Sequence, residues 1–148
     1  MNRSLASLGV VFLLVLSGCA TTTATVPTPS GKPELKVRLS EKEIESRMAQ
    51  VWAAEGWDLQ LTDEFGFALS KPYGGIETAG GISGAQRIRF NLMRDKADEG
   101  VTQIRATCKF VLAGETTDES GALLGLAVQE SMEEAFEAEA VDGPYVRK

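Results

Sequence analysis

Four stretches between Trp57 and Leu112 alternate apolar and polar residues with a period of two. Trp57, Leu59 and Leu61 are set against Asp58, Gln60 and Thr62; Phe65, Phe67 and Leu69 against Gly66, Ala68 and Ser70. Ile88, Phe90 and Leu92 then face one way, and after the polar run DKADEG, Ile104, Ala106, Cys108, Phe110 and Leu112 do the same. On a pleated strand this period collects the apolar side chains on one side. Two pairs of such strands, each joined by a polar turn, are two hairpins. A chain with this pattern is committed to an antiparallel sheet with one covered face.

The covering elements flank the hairpins. Leu35, Val37 and Leu39 alternate with Lys36 and Arg38, which predicts a further strand. Ser40 and Glu43 then form a capping box, with Leu39 and Ile44 placed for a hydrophobic staple. The helix they open carries Ile44, Met48, Val51 and Trp52 on one face, and Gly56 stops it. A second helix is predicted from about Asp118 to Ala140, with Thr116 and Glu119 as its capping box. Its apolar stripe is Leu124, Val128, Met132, Ala135 and Phe136, and Gly143-Pro144 ends it. The order is strand, helix, four strands, helix: an α+β domain with a mainly antiparallel sheet and both helices on one face. This element order resembles the helix-grip class of small domains, which occur in lipoprotein subunits of the outer-membrane β-barrel assembly machinery.

With 148 residues the chain makes one domain, and the leader preceding it is of a different kind. Leu5 to Leu16 form an uncharged apolar run behind Arg3. Twelve residues are too few to span a bilayer and fit the core of a secretory signal. The run ends in Leu16-Ser17-Gly18-Cys19. This resembles the lipobox of bacterial lipoproteins, Leu-(Ala/Ser/Thr)-(Gly/Ala)-Cys, at all four positions. The resemblance implies that Cys19 is the lipidation site and that Leu16, Ser17 and Gly18 are the recognition residues of the signal peptidase. Residues 1–18 are then removed, and the acylated Cys19 becomes the first residue of the mature chain. Two or more acyl chains anchor a protein stably where one does not. Ala20, in place of an aspartate, implies outer-membrane sorting, with the domain facing the periplasm.

Residues 19–34 are read as an acylated cysteine and a Thr/Pro-rich tether, because ATTTATVPTPSGKPE offers almost nothing to bury. Residues 35–148 are read as the single domain. Removing residues 1–18 loses only Arg3, leaving 14 basic against 21 acidic side chains, a net −7. That balance argues against nucleic acid as a partner. The chain has no histidine, the commonest general base and metal ligand. No enzyme activity, cofactor or metal is therefore expected. With Cys19 alkylated, Cys108 has no partner within the chain and reads as a buried structural thiol.

Three features outside the leader could carry function. Residues 73–85, YGGIETAGGISGA, form a glycine-rich link that lacks the lysine of a phosphate-binding loop and leads into a strand; Tyr73, Ile76 and Ile82 are the apolar residues it offers. Arg87, Arg89, Arg105 and Lys109 fall on the outward side of the second hairpin, where they form a partner-binding face unless acidic neighbours within the domain meet them. Glu130, Glu133, Glu134, Glu137 and Glu139 read as a solvated helix face. Gly121 and Gly125 read as a place of close approach to the sheet. The function this supports is a protein-binding or assembly module held at the membrane, with an envelope protein as partner. The alternative is a small-ligand or inhibitor-type binding domain.

Overall fold

The computed structural model describes residues 25–72, 84–112, 115–117 and 122–146. The elements are β1 (Glu34–Val37), α1 (Glu41–Ala53), β2 (Asp58–Asp63), β3 (Gly66–Pro72), β4 (Gly84–Arg94), β5 (Thr102–Leu112), β6 (Glu115–Thr117) and α2 (Ala122–Ala135). The fold is α+β, with every strand pair antiparallel. The sheet order is β1-β5-β4-β3-β2, with β6 paired to the end of β5. The expected order thus holds, with one short strand added. Thr116 lies in that strand, so it is no helix cap; Glu119 lies outside the described residues. The second helix is also shorter than expected. It starts at Ala122 and ends at Ala135, after which the chain turns and Ala140 bridges to Val37.

One core cluster joins the elements. It takes Ile44, Met48 and Trp52 from α1, Val128 and Met132 from α2, and Phe136 just past its end. From the sheet it takes Leu35, Val37, Phe67, Leu69, Ile88, Phe90, Leu92, Ile104 and Ala106. The Phe67 and Phe90 rings, opposite each other on β3 and β4, stack at 4.7 Å. The Ser40 capping box forms as its sequence implies: Ser40 Oγ accepts from the Glu43 amide, and Glu43 accepts from the Ser40 amide. Arg47 ties the helices together, donating to the Ala135 carbonyl at 3.2 Å and to Glu139 at 3.0 Å above the Phe136 ring. Val51, expected on the apolar face, is exposed.

The first hairpin departs from simple alternation. A bulge between Leu59 and Leu61 pairs Leu59 with Leu69 but Leu61 with Ala68, so the two leucines take opposite sides. Both are about half exposed, and Phe65, in the turn, is 62% exposed. Trp57 precedes the strand and is buried edge-on against Trp52 at 5.3 Å. Gly66 makes the tight turn possible. Its φ is +141°, and a Cβ there would lie 2.0 Å from the Phe90 carbonyl oxygen.

The N-terminal boundary also moves. Val26 is 5% exposed, and Pro33 and Glu34 are buried. The Pro33 carbonyl accepts from the Ala106 amide at 2.8 Å. A Cβ on Gly125 would come within 3.0 Å of Val26 Cγ2. Gly125 is therefore the seat of this entering segment and is not a contact with the sheet; Gly121 lies outside the described residues. Val26, Pro33 and Glu34, which the sequence reading placed in the tether, therefore pack with the domain; residues 19–24 lie outside the described residues.

Sheet edge and helix meet at Gln129, which is fully buried. Its side-chain amide accepts from the Glu34 amide at 2.8 Å and donates to the Glu34 carbonyl at 3.0 Å and to Glu133 at 2.8 Å. Glu133 in turn accepts from the backbone amides of Tyr145, at 2.6 Å, and Val146. Leaving a buried backbone donor and acceptor unpaired costs about 1–3 kcal/mol per group. Gln129→Leu is accordingly expected to lower stability by roughly 3 kcal/mol and Tm by on the order of 10 °C, measured by thermal unfolding. Retention of the wild-type Tm would contradict this role.

Candidate functional site

The register of β4 and β5 places the four cations named above on one side of the hairpin. Arg87 stands directly opposite Lys109, Arg89 opposite Thr107, and Arg105 opposite Asn91. Ile88, Phe90, Ile104 and Ala106, between them, belong to the core. The hairpin thus brings all four to one face, but it does not leave them equivalent.

Arg89 is engaged within the domain. Its Nη2 donates to Asp63 Oδ1 at 2.7 Å and its Nε to Asn91 Oδ1 at 3.3 Å. The guanidinium, together with the Phe65 amide, holds the Asp63 carboxyl below the ordinary carboxylate range. The Asp63–Arg89 pair therefore favours the folded state above the unfolded aspartate pKa, and that contribution is lost as pH falls through the depressed value. Arg105 faces Glu34, with Nε and Oε2 at 3.4 Å. The contact is an ion pair without hydrogen-bond geometry, since neither atom has a hydrogen-bond partner among the described residues. The Glu34 side chain is 8% exposed and also accepts from the Ser30 amide. Arg87 is exposed. The acidic neighbours that the sequence left open as an intramolecular answer are thus Asp63 and Glu34.

Beside the Glu34–Arg105 pair lies a pocket of about 360 Å³ lined by Glu34, Lys36, Gln103, Arg105, Asp142 and Tyr145, with Pro29 and Ser30 at its rim. It carries charges of both signs. Lys36 Nζ lies 3.1 Å from Asp95 and 3.7 Å from Asp142. The hydrogen bond to Asp95, then the charges of both aspartates, push the Lys36 pKa up. Such a wall offers donors and acceptors to a polar group. Among the described residues, no three His, Cys, Asp or Glu side chains converge as a metal site.

The five glutamates of the acidic run, three in α2 and two beyond it, do not share one environment. Glu130, Glu134 and Glu137 are exposed, Glu139 pairs with Arg47, and Glu133 is the buried acceptor described above. Sequence reasoning missed Glu34, Gln129 and Glu133. Gln129 and Glu133 each adjoin a residue of the apolar stripe, Val128 and Met132, and a polar pair spaced by four beside such a stripe is the signal that was there to read. Cys19, with Leu16, Ser17 and Gly18, lies outside the described residues, as does the link at 73–83. No protein-family model matches the chain, and no curated protein matches it.

Cys108 sits on the core side of β5, partly buried, and desolvation pushes its thiol up to about 12. Since the thiolate is the reactive form, alkylation by iodoacetamide at pH 8 is expected to be very slow in the folded protein and fast in denaturant. Equal rates, followed by mass spectrometry, would contradict the burial. The Asp63–Arg89 pair gives a second expectation. Arg89→Gln should lower Tm at pH 7, and the difference from wild type should shrink as pH falls through the depressed Asp63 value.

Proposed function

We propose that this chain is a lipid-anchored protein of the bacterial cell envelope whose domain is a non-enzymatic protein-binding or assembly module. The observation that carries the anchor is Leu16-Ser17-Gly18-Cys19 at the end of a 12-residue apolar run behind Arg3. Acylation at Cys19 makes residues 1–18 a disposable signal, and Ala20 directs the product to the outer membrane, facing the periplasm. In this reading both helices share one face of the sheet, and the opposite face is the working surface. The pocket at β1 and β5 is where a partner's polar group enters, because Lys36, Gln103, Asp142 and Tyr145 line it with donors and acceptors. A contact of this kind is read by charge placement and asks for no bond chemistry.

A second reading, small-ligand binding, is favoured by one observation. A cavity of about 550 Å³ opens between α2 and the C-terminal segment, lined by Leu35, Ala140, Gly143, Pro144 and Val146 with Glu133 and Glu137. Its size suits a small molecule with an apolar body.

Cys19→Ala is expected to abolish acyl labelling and leave the unprocessed precursor; normal processing would overturn the anchor. A photoreactive residue replacing Gln103 is expected to give one defined adduct with an envelope protein in intact membranes, lost on Lys36→Glu. Lys36→Glu also removes the ion pairs to Asp95 and Asp142, so lost crosslinking reports contact when the variant's thermal unfolding matches that of the wild type. No adduct, together with a thermal shift on adding small molecules, would favour the second reading instead.

A further inference from the structure

The two ends of the sheet are not alike. At one end β1 is covered, since the Val141 amide donates to the Lys36 carbonyl and Ala140 bridges Val37. At the other end β2 pairs with β3 alone. In a strand with one neighbour, about half of the backbone N–H and C=O groups point away from the sheet. Among the described residues, no backbone hydrogen bond ties residues 58–63 to anything but β3. The strand is also bare on its faces. All six residues of Asp58–Asp63 are exposed, whereas Phe67 and Leu69, in the strand it pairs with, are fully buried.

This edge combines apolar side chains with one sign of charge. Leu59, Leu61 and Phe65 are all exposed large apolar residues. Residues 54–66 hold four acidic side chains, Glu55, Asp58, Asp63 and Glu64, and no basic one. The cations nearby are engaged or stand back from the edge. Arg89 bonds Asp63, and Lys71 donates to the Glu55 carbonyl at 2.6 Å. Arg87 shares a row with Asp58 across Ser70, but its backbone is two strands in, about 10 Å away. On α1, Arg47 pairs with Glu139, and Lys42 is exposed in the first turn. The link at 73–83, outside the described residues, adds only the charge of Glu77. Asp58 and Glu64 have no ion pair among the described residues.

Such an edge selects its occupant. A second copy of this chain is disfavoured, because pairing two β2 strands antiparallel over their full length sets Asp58 of each opposite Asp63 of the other. The bulge between Leu59 and Leu61 also bends the strand; a flexible segment follows that bend where a second rigid edge does not. In strand addition the backbone bonds supply the affinity and the side chains supply the choice. Across from Leu59 and Leu61 the added strand needs apolar side chains, and across from Asp58 and Glu64 it needs cations. We propose that β2 is a docking edge for an extended segment of another protein, apolar in its middle and carrying lysine or arginine at its ends, which joins the sheet as its next strand. This edge lies at the opposite end of the sheet from the pocket at β1 and β5, and its use does not depend on the anchor at Cys19.

The test uses the full-length protein in detergent and three fluorescein-labelled peptides. The first is Lys-Thr-Val-Val-Val-Thr-Lys, the second has glutamate in place of both lysines, and the third is the lysine peptide with its valines N-methylated. Fluorescence anisotropy should show saturable binding of the lysine peptide, binding about tenfold weaker for the glutamate peptide, and none for the N-methylated one. Asp58→Lys combined with Glu64→Lys should reverse the order of the two charged peptides, an outcome that unfolding does not produce. A photoreactive residue replacing Gln60 should crosslink the lysine peptide, and one replacing Gln103, at the other edge, should not. No binding of the lysine peptide, equal binding of its N-methylated form, or an unchanged order in the double variant overturns the proposal. So does crosslinking from Gln103 without crosslinking from Gln60. An adduct of twice the chain's mass from Gln60, formed without peptide, assigns the edge to a second copy and overturns the proposal as well.

Discussion

A single side-chain amide does the work of a missing strand. β1 is an edge strand of four residues, too short to hold itself in place by pairing on one side alone. Gln129 satisfies the Glu34 amide and carbonyl together, as a neighbouring peptide would, and passes the remaining donor to Glu133. Glu133 then fixes the backbone at Tyr145 and Val146. The edge strand, the last helix and the chain end are therefore one hydrogen-bonded unit. Such networks are strong when fully satisfied and costly when broken, because the groups lie away from water. Without it, Leu35 and Val37 would lose their register on the core, and the pocket would lose two of its walls.

The two edges of the sheet are finished differently. Beyond β1, the Arg38 amide donates to the Glu139 carbonyl, the Val141 amide donates to the Lys36 carbonyl, and Ala140 bridges Val37, so the returning chain covers that side. β2 has no covering strand among the described residues. Its protection is the bulge at Leu59–Leu61, which breaks the regular ladder, and the charges of Asp58 and Asp63. That bulge also sends Leu61 to the outward face, where it stands opposite Ala68 in the row that includes Arg89. The outward face thus has a mixed character, with an apolar rim at β2 and salt-bridged cations across its middle.

Much of this was legible in the sequence, for a physical reason. In β4 and β5 the core-facing positions are more buried than their outward neighbours, so the period-two pattern survives and fixes their faces; Ile88, Phe90, Ile104 and Ala106 all land in the core. The Ser40–Glu43 box depends on residues three apart and is equally readable. Where the reading failed, a distant partner decided the outcome. Val26 looks like linker because its neighbours are Thr and Pro, yet Gly125, ninety-nine positions away, leaves a seat for it. Gln129 and Glu133 look like solvated helix residues until the backbone of β1 and of the chain end supplies their partners. Leu59 and Leu61 obey the alternation on paper, but one bulge reverses the sense of the second. At the candidate face, the position of the four cations was readable from alternation, whereas the pairing of Arg89 with Asp63 and Arg105 with Glu34 depends on strands that meet only in the fold.

The burial of Val26 also gives the domain a mechanical property. Tension applied through the N-terminal segment does not end in a slack loop; it arrives at Pro33, whose carbonyl is bonded to β5, and at β1, which Gln129 clamps to α2. Load is shared at once between the sheet and the last helix. A domain pulled through this segment moves as a rigid body, and its pocket keeps its shape while it does so.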